Sequence, residues 1–360
     1  MRQPKPQPGT AESLRGALPL GLALLLIALA TLVPLGRSSP RLLLRIELPD
    51  VLVNLALYFP LGLLLARRGW SVARAAVFGA IISGAIELLQ GTVIMGRRGS
   101  PIDVVANVAG VALGAALLSL ANHVAATRRP AARALLLILL CLPVLVWLGS
   151  GWLLAPAPPA TPRWYSLWAH QFLDTEPFRG KLLAVRLQGQ DVPDGVLEGV
   201  DALRADARAE GLRLDVTLSS DGPTAGPTQL ASIGDLQDGT VIGMEQLGTD
   251  LMLYWMSRGS AVGLRPPRVT FANAVEAARG ERLTIQASVT HSQVRITVSG
   301  PSGARSDARS LTPLTGWRNL IPSRELSARA QRSFDLVWTL VLVGYLLGVV
   351  RLLRGARLSY

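Results

Sequence analysis

The sequence predicts an α-helical polytopic membrane bundle of about six spans with an inserted all-β extracytoplasmic sandwich. Three observations predict it. Half of the 360 residues are hydrophobic and the mean hydropathy is +0.37, above the values of an ordinary soluble domain. Six apolar stretches, at 17–35, 47–66, 73–90, 101–121, 133–154 and 334–353, are close to the ~20 residues that cross a bilayer. Between the last two, from about 180 to 325, the pattern changes to short alternating runs broken by Gly, Pro, Asp and Asn.

In chain order, residues 1–16 form a cytoplasmic tail and 17–125 a membrane unit of four spans. Arg2, Lys5 and Arg15 precede the first span, whose Ala28-Leu29-Ala30 also fits a cleaved signal peptide; its length and the continuing Val33-Pro34-Leu35 favour a retained span. Pro60-Leu61-Gly62 predicts a kink in the second span. Gly79 and Ser83 give the third a stripe of small residues that lets a neighbour approach. After the fifth span, Pro156, Pro158, Pro159 and Pro162 predict a stiff linker over 155–175. Within it Trp164, Leu167, Trp168 and Phe172 share one face if helical, to rest on the membrane, or else enter the core of the following domain.

The sandwich is expected over 176–332. Strands are predicted at 182–187, 212–218, 230–233, 240–246, 251–256, 268–271, 283–289 and 294–298, with a short helix or excursion at 201–210. Turns fall at 246–251 and at His291-Ser292. Eight or more strands without intervening helices indicate an antiparallel sandwich, with Trp255 and Trp317 expected to fill its core in preference to forming a sugar-stacking platform. Trp147 and Trp152 suit an interfacial belt at the end of the fifth span, and Asp335 an interfacial position at the head of the sixth. A cytoplasmic tail, 354–360, ends the chain.

The net charge of +12 invites a nucleic-acid reading, which its distribution excludes. Residues 155–332 carry 19 basic and 18 acidic side chains, whereas the rest of the chain carries 17 and 6. The excess therefore flanks the spans, where it sets orientation. With the N-terminus inside, inner segments hold 12 Arg and Lys and the outer short loops five (Arg37, Arg41, Arg45, Arg97, Arg98). The expected location is the bacterial cytoplasmic (inner) membrane, with both termini cytoplasmic and 155–332 outside. The excess of Arg over Lys (only Lys5 and Lys181) hints at a GC-rich bacterium. The single cysteine, Cys141, excludes an internal disulfide, and His123, His170 and His291 lack metal-ligand spacing.

The candidate site lies in the second to fourth spans. Asp50 and Asn54, Glu87 and Gln90, and Asp103 and Asn107 are each three or four residues apart, on one helical face. Such groups cost roughly 2.5–3.5 kcal/mol per charge at mid-membrane, so three pairs on neighbouring spans are expected to act together. Alternating span direction brings all six, with Arg97 and Arg98 of the loop between, to the outer leaflet. Gly110 and Gly114 continue the Asp103–Asn107 face.

Asp50-x-x-x-Asn54, Phe59-Pro60-Leu61-Gly62, Glu87-x-x-Gln90, the Arg97-Arg98 loop and Asp103-x-x-x-Asn107-x-x-Gly110 resemble the VanZ-like family of integral membrane proteins, over roughly 15–125. That resemblance implies a role at the cell envelope, since the family takes its name from a glycopeptide-resistance determinant; it implies no particular activity. More weakly, residues 212–218, the Gly-rich strand pairs and Trp317-Arg318-Asn319-Leu320 are similar to concanavalin A-like (jelly-roll) sandwiches of the lectin and laminin-G type. No binding residue is carried over; no cofactor is expected, calcium in the outer domain, which such lectins often hold, staying open without a dense acidic cluster to call for it.

Three functions stay open. In the leading one, the eight polar residues form a pocket for a lipid-linked glycan or similar amphiphile, Arg97 and Arg98 facing phosphate, while the outer domain contacts polysaccharide or protein. In the second, Glu87 and Asp103 act as general acid or base on that head group, although no nucleophile with a matching base is evident. In the third, the polar network is purely structural or sensory. The expected partners are membrane lipids, lipid-linked glycan or envelope polysaccharide, and no nucleic acid. A transporter fits less well, because the polar groups gather near one surface and not at the midplane.

Overall fold

The computed structural model describes residues 10–32, 41–42, 47–95, 97–127, 130–171, 175–235, 239–321 and 326–355. Two compact units divide at Cys141/Leu142.

The first unit contains α1 (Thr10–Leu32), α2 (Leu48–Arg67), α3 (Val72–Thr92), α4 (Pro101–Thr127) and the first half of α5 (Pro130–Leu153). Proline in the first turn of α2, α4 and α5 suits positions whose N–H has no helical partner, and the Ser71 side chain caps α3 by accepting from the Arg74 N–H. Leu48–Arg67, Val72–Thr92, Pro101–Val124 and Leu136–Leu153 are long and apolar enough to cross a membrane; the apolar part of α1, Leu18–Leu32, is shorter. Apolar side chains also point outward, among them Val77, Ile81 and Leu88 on α3 and Val105 and Leu113 on α4, as a hydrocarbon solvent allows. The protein is thus a membrane protein with several apolar helices.

The closest packing is α2 against α4, and glycine makes it. A Cβ on Gly110 would stand 2.4 Å from the Leu55 carbonyl oxygen, one on Gly114 2.2 Å from that of Phe59, and one on Gly62 2.0 Å from that of Val111. Gly79 of α3 lies against the Val111 side chain, as the small-residue stripe predicts. Pro60, where a kink is expected, lies inside α2, which continues past it as one helix. Gly62 admits the α4 backbone, so the Pro-Leu-Gly triplet serves packing.

In the second unit two six-stranded antiparallel sheets stack as a sandwich. One has the order β11 (Arg268–Phe271), β10 (Asp250–Trp255), β9 (Gly239–Leu247), β8 (Thr228–Asp235), β3 (Trp164–Trp168), β6 (Gly195–Leu197). The other has the order β14 (Gly303–Ser310), β13 (Gln293–Gly300), β12 (Arg282–Val289), β7 (Leu212–Ser219), β4 (Lys181–Leu187), β5 (Gln190–Asp191). Alternate residues such as Leu214, Val216, Ile285, Ala287, Val294 and Ile296 face Leu251, Leu253, Trp255 and Phe271 in one core. The helix α6 (Val200–Glu210) lies where expected. A short helix α7 (Arg258–Ala261), a 3-10 helix (Pro313–Asn319) and the long α8 (Ala328–Gly355) complete the unit.

All eight expected strands form. The proline segment, however, is not a free linker: Pro156 and Pro158 are buried, Pro156 bridges Ser257, and the Ala157 N–H donates to Met256 O at 3.0 Å. The aromatic segment is strand β3, not a surface helix, and Trp164 is fully buried in the core; Phe172 lies outside the described residues. Trp317 is buried too, but stacked on Phe334 of α8 at 5.1 Å between centroids and outside the sandwich core.

The first sheet's outer face carries a buried polar seam. The Tyr254 hydroxyl donates to Gln229 Oε1 at 2.9 Å, and Arg268 lies 3.6 Å from Glu245 and over the Tyr254 ring. Burial raises the Glu245 carboxyl above its ordinary range, with Arg268 opposing, and burial beside Glu245 pushes Tyr254 up to about 12. Because the folded state favours protonated Glu245, its ionisation costs stability as pH rises through and above the usual carboxylate range. Glu245→Gln should therefore gain thermal stability relative to the parent between pH 4 and pH 8, read from melting curves of the full chain in detergent.

Candidate functional site

The polar pairs sit where the glycine seam ends. Asp50 and Asn54 lie in the first two turns of α2, Asp103 and Asn107 in the first two of α4, and Glu87 and Gln90 near the end of α3. Glycine contact brings the backbones so close that short amides and carboxylates on the same faces meet. The Asp103 carboxyl faces the Asn54 amide and lies in the fields of Asp50 and Glu47; Glu87 in turn lies in the fields of Asp103 and Arg97.

Glu87, Ser100, Asn107 and Ser83 make traceable hydrogen bonds. Glu87, 7% exposed, accepts from the Ser100 N–H at 2.9 Å through Oε2, and the Ser100 hydroxyl accepts from the Ile102 N–H at the start of α4. One carboxylate thereby fixes the loop that enters α4. One turn further in, Asn107 Nδ2 donates to Ser83 Oγ at 2.8 Å; Asn107 is 1% exposed and its Oδ1 is unpartnered. Ser83 is thus a polar partner as well as a small residue. The Tyr58 hydroxyl, buried beside Ser83 and in the field of Glu87, makes no well-formed hydrogen bond.

Two of the expected residues also reach α1. Gln90 Nε2 donates to Thr31 O and an Arg97 guanidinium N–H to Ala30 O, both at 2.7 Å. These carbonyls belong to the last turn of α1, where helical partners run out and a cation is favoured. Gln90 therefore ties α1 to α3, and burial lowers the Arg97 guanidinium from its ordinary value while Glu87 opposes that. Arg98 stands in β2 (Arg98–Gly99), which pairs in parallel with β1 (Arg41–Leu42), Arg41 in register with Arg98.

Sequence reasoning missed Tyr58, Ser83 as a donor's partner, Ser100 and the α1 carbonyls. The first three had signals: Tyr58 is four residues past Asn54, Ser83 four before Glu87, and Ser100-Pro101 reads as an N-cap before an N1 proline. The carbonyls had none, because no side chain marks them. Among the described residues no group of three His, Cys, Asp or Glu is placed to hold a metal ion.

A helical membrane unit with carboxylates and amides gathered at one end of three packed helices, joined in sequence to an antiparallel sandwich, defines the class. Residues 13–122 match the family model described as VanZ/LLP1, over the same stretch as the motif resemblance. No curated protein matches the chain, and no solved structure does.

Proposed function

We propose that this is a membrane protein of the bacterial cell envelope whose helical unit binds the head group of a lipid-linked glycan or a similar amphiphile at the outer leaflet. The observation behind it is the convergence of Asp50, Asn54, Glu87, Asp103 and Arg97 at one end of α2, α3 and α4. Carboxylates and amides there accept sugar hydroxyls, and arginine suits a phosphate. The sandwich, lectin-like in this reading, contacts polysaccharide or protein outside the cytoplasm. If α1 and α8 also cross, the six spans put both termini on one side, and the arginine and lysine bias of the short loops makes that side cytoplasmic.

The test uses a polyprenyl-pyrophosphate-linked disaccharide and the full chain in nanodiscs. Glu87→Gln retains an oxygen to accept from Ser100, so the loop persists while the charge is removed. Losing a charge-assisted hydrogen bond, about 1.5–3 kcal/mol, should weaken binding tenfold or more in Glu87→Gln and Asp103→Asn at unchanged melting temperature. Unchanged affinity in both contradicts the proposal. A second reading, a purely architectural network, is favoured by the closure of the Glu87, Gln90, Arg97 and Asn107 contacts within the protein. It predicts that Asn107→Ala lowers stability and that the glycolipid does not bind at all.

A further inference from the structure

The sandwich is built onto the helix ends at its base. The Pro313 carbonyl accepts from Trp338 Nε1 of α8 at 2.9 Å and lies 3.5 Å from Ser150 Oγ of α5, whose hydroxyl donates to Trp147 O at 2.6 Å, so the 3-10 helix is wedged between the two. Gly151 and Gly316 make room for it: a Cβ on Gly151 would stand 2.6 Å from the Pro313 nitrogen, and one on Gly316 would overlap the Ser150 side chain. Beside this wedge, the Arg258 N–H at the start of α7 donates to Ala155 O at 2.9 Å.

This fixes the level of α7 relative to the apolar helix. The candidate span ends at Leu153, and α7 is bonded two residues beyond it. Two residues advance the chain by about 3 Å at helical rise, whereas the head-group layer on each side is roughly 5–7 Å deep. The segments at this level expose what that layer accommodates. Val262, in the turn after α7, is 60% exposed, Leu314 of the 3-10 helix 42%, and Trp152 at the end of α5 62%. The Arg258 guanidinium stands over the Trp152 indole, 4.5 Å from the ring centroid. An amphipathic indole under a cation that reaches up from apolar surface is the arrangement of an interfacial anchor.

We propose that the foot of the sandwich, the turn around Val262 together with Leu314, inserts into the phospholipid head-group layer, Arg258 on Trp152 meeting lipid phosphate. The domain then lies against the bilayer, held at a fixed height. The inference rests on α5 crossing the membrane and not on any ligand of the polar cluster.

Full-length protein in a Cys141→Ala background carries Val262→Cys or Ser302→Cys, labelled with bimane and reconstituted into phosphatidylcholine–phosphatidylglycerol nanodiscs. Ser302 is exposed in the turn at the far end of β14 from the 3-10 helix, and the 8 residues of that strand span about 27 Å. The label at 262 should be quenched several-fold more by lipid spin-labelled near the head group than by aqueous iodide, and the label at 302 the reverse. Iodide quenching at 262 equal to that at 302 overturns the proposal. So does protection of 262 from both quenchers, which would mean that protein covers the turn.

Discussion

Gly110→Ala and Gly114→Ala, like Gly62→Ala across the same contact, are expected to destabilise the membrane unit strongly. The added carbon would meet a backbone carbonyl of α2 at 2.4 Å or 2.2 Å, and a backbone cannot rotate aside. Relief requires α2 and α4 to part, which unpacks Tyr58, Leu61, Val111 and Ala115 and separates Asn54 from Asp103. Overpacking of this kind costs about 1–3 kcal/mol, sometimes more. Gly84→Ala is the control, since nothing lies within 4 Å of a Cβ there. Thermal unfolding in detergent should show a loss of several degrees for Gly110→Ala and none for Gly84→Ala.

Asp335→Ala is expected to produce the second large effect, in the other unit. Arg318 is 2% exposed and donates to both Asp335 oxygens, at 3.2 and 3.3 Å, and to Gln331 Oε1 at 3.2 Å; the Trp317 indole N–H donates to Asp335 at 2.7 Å. Burial already lowers the Arg318 guanidinium from its ordinary value, with Asp335 as the opposing charge. Removing that carboxylate strands a buried cation, at a cost of about 3–5 kcal/mol. Restoring neutrality in Asp335→Ala/Arg318→Met should recover much of the loss, because the desolvated charge is gone. Intrinsic tryptophan fluorescence during denaturation reads both variants, and additive losses would show that the pair is not coupled.

The candidate site was readable in the sequence as far as helical periodicity reaches. Asp50/Asn54, Glu87/Gln90 and Asp103/Asn107 declare their faces by spacing alone, and Gly110 and Gly114 continue one of them into the contact with α2. What Gln90 and Arg97 bond to was not readable, since both partners are main-chain carbonyls at the end of α1, brought there by tertiary packing. The sandwich shows the same division. Strands such as 283–289 announce themselves by alternation, whereas Trp164-Tyr165-Ser166-Leu167-Trp168 satisfies helical and strand spacing equally, and burial of Trp164 decides it. β14 reads Gly-Ala-Arg-Ser-Asp-Ala-Arg-Ser and buries nothing. An edge strand pairs on one side only and needs no apolar pattern, so composition hides it. Asp335 carried no sign of its role, because its partners Trp317 and Arg318 lie 18 and 17 residues away across a segment with no regular period.

The meeting of α2 and α4 side chains at one end of the helical unit is the premise of the proposed pocket, and cross-linking tests it directly. In a Cys141→Ala background, Asn54→Cys with Asp103→Cys should form an intramolecular disulfide in native membranes, readily and at high yield, on mild oxidation. Asn54→Cys with Leu113→Cys, the latter facing outward at 50% exposure, should form none. Failure of the first pair to cross-link while both thiols remain reactive toward maleimide would contradict the convergence, and the binding site proposed from it.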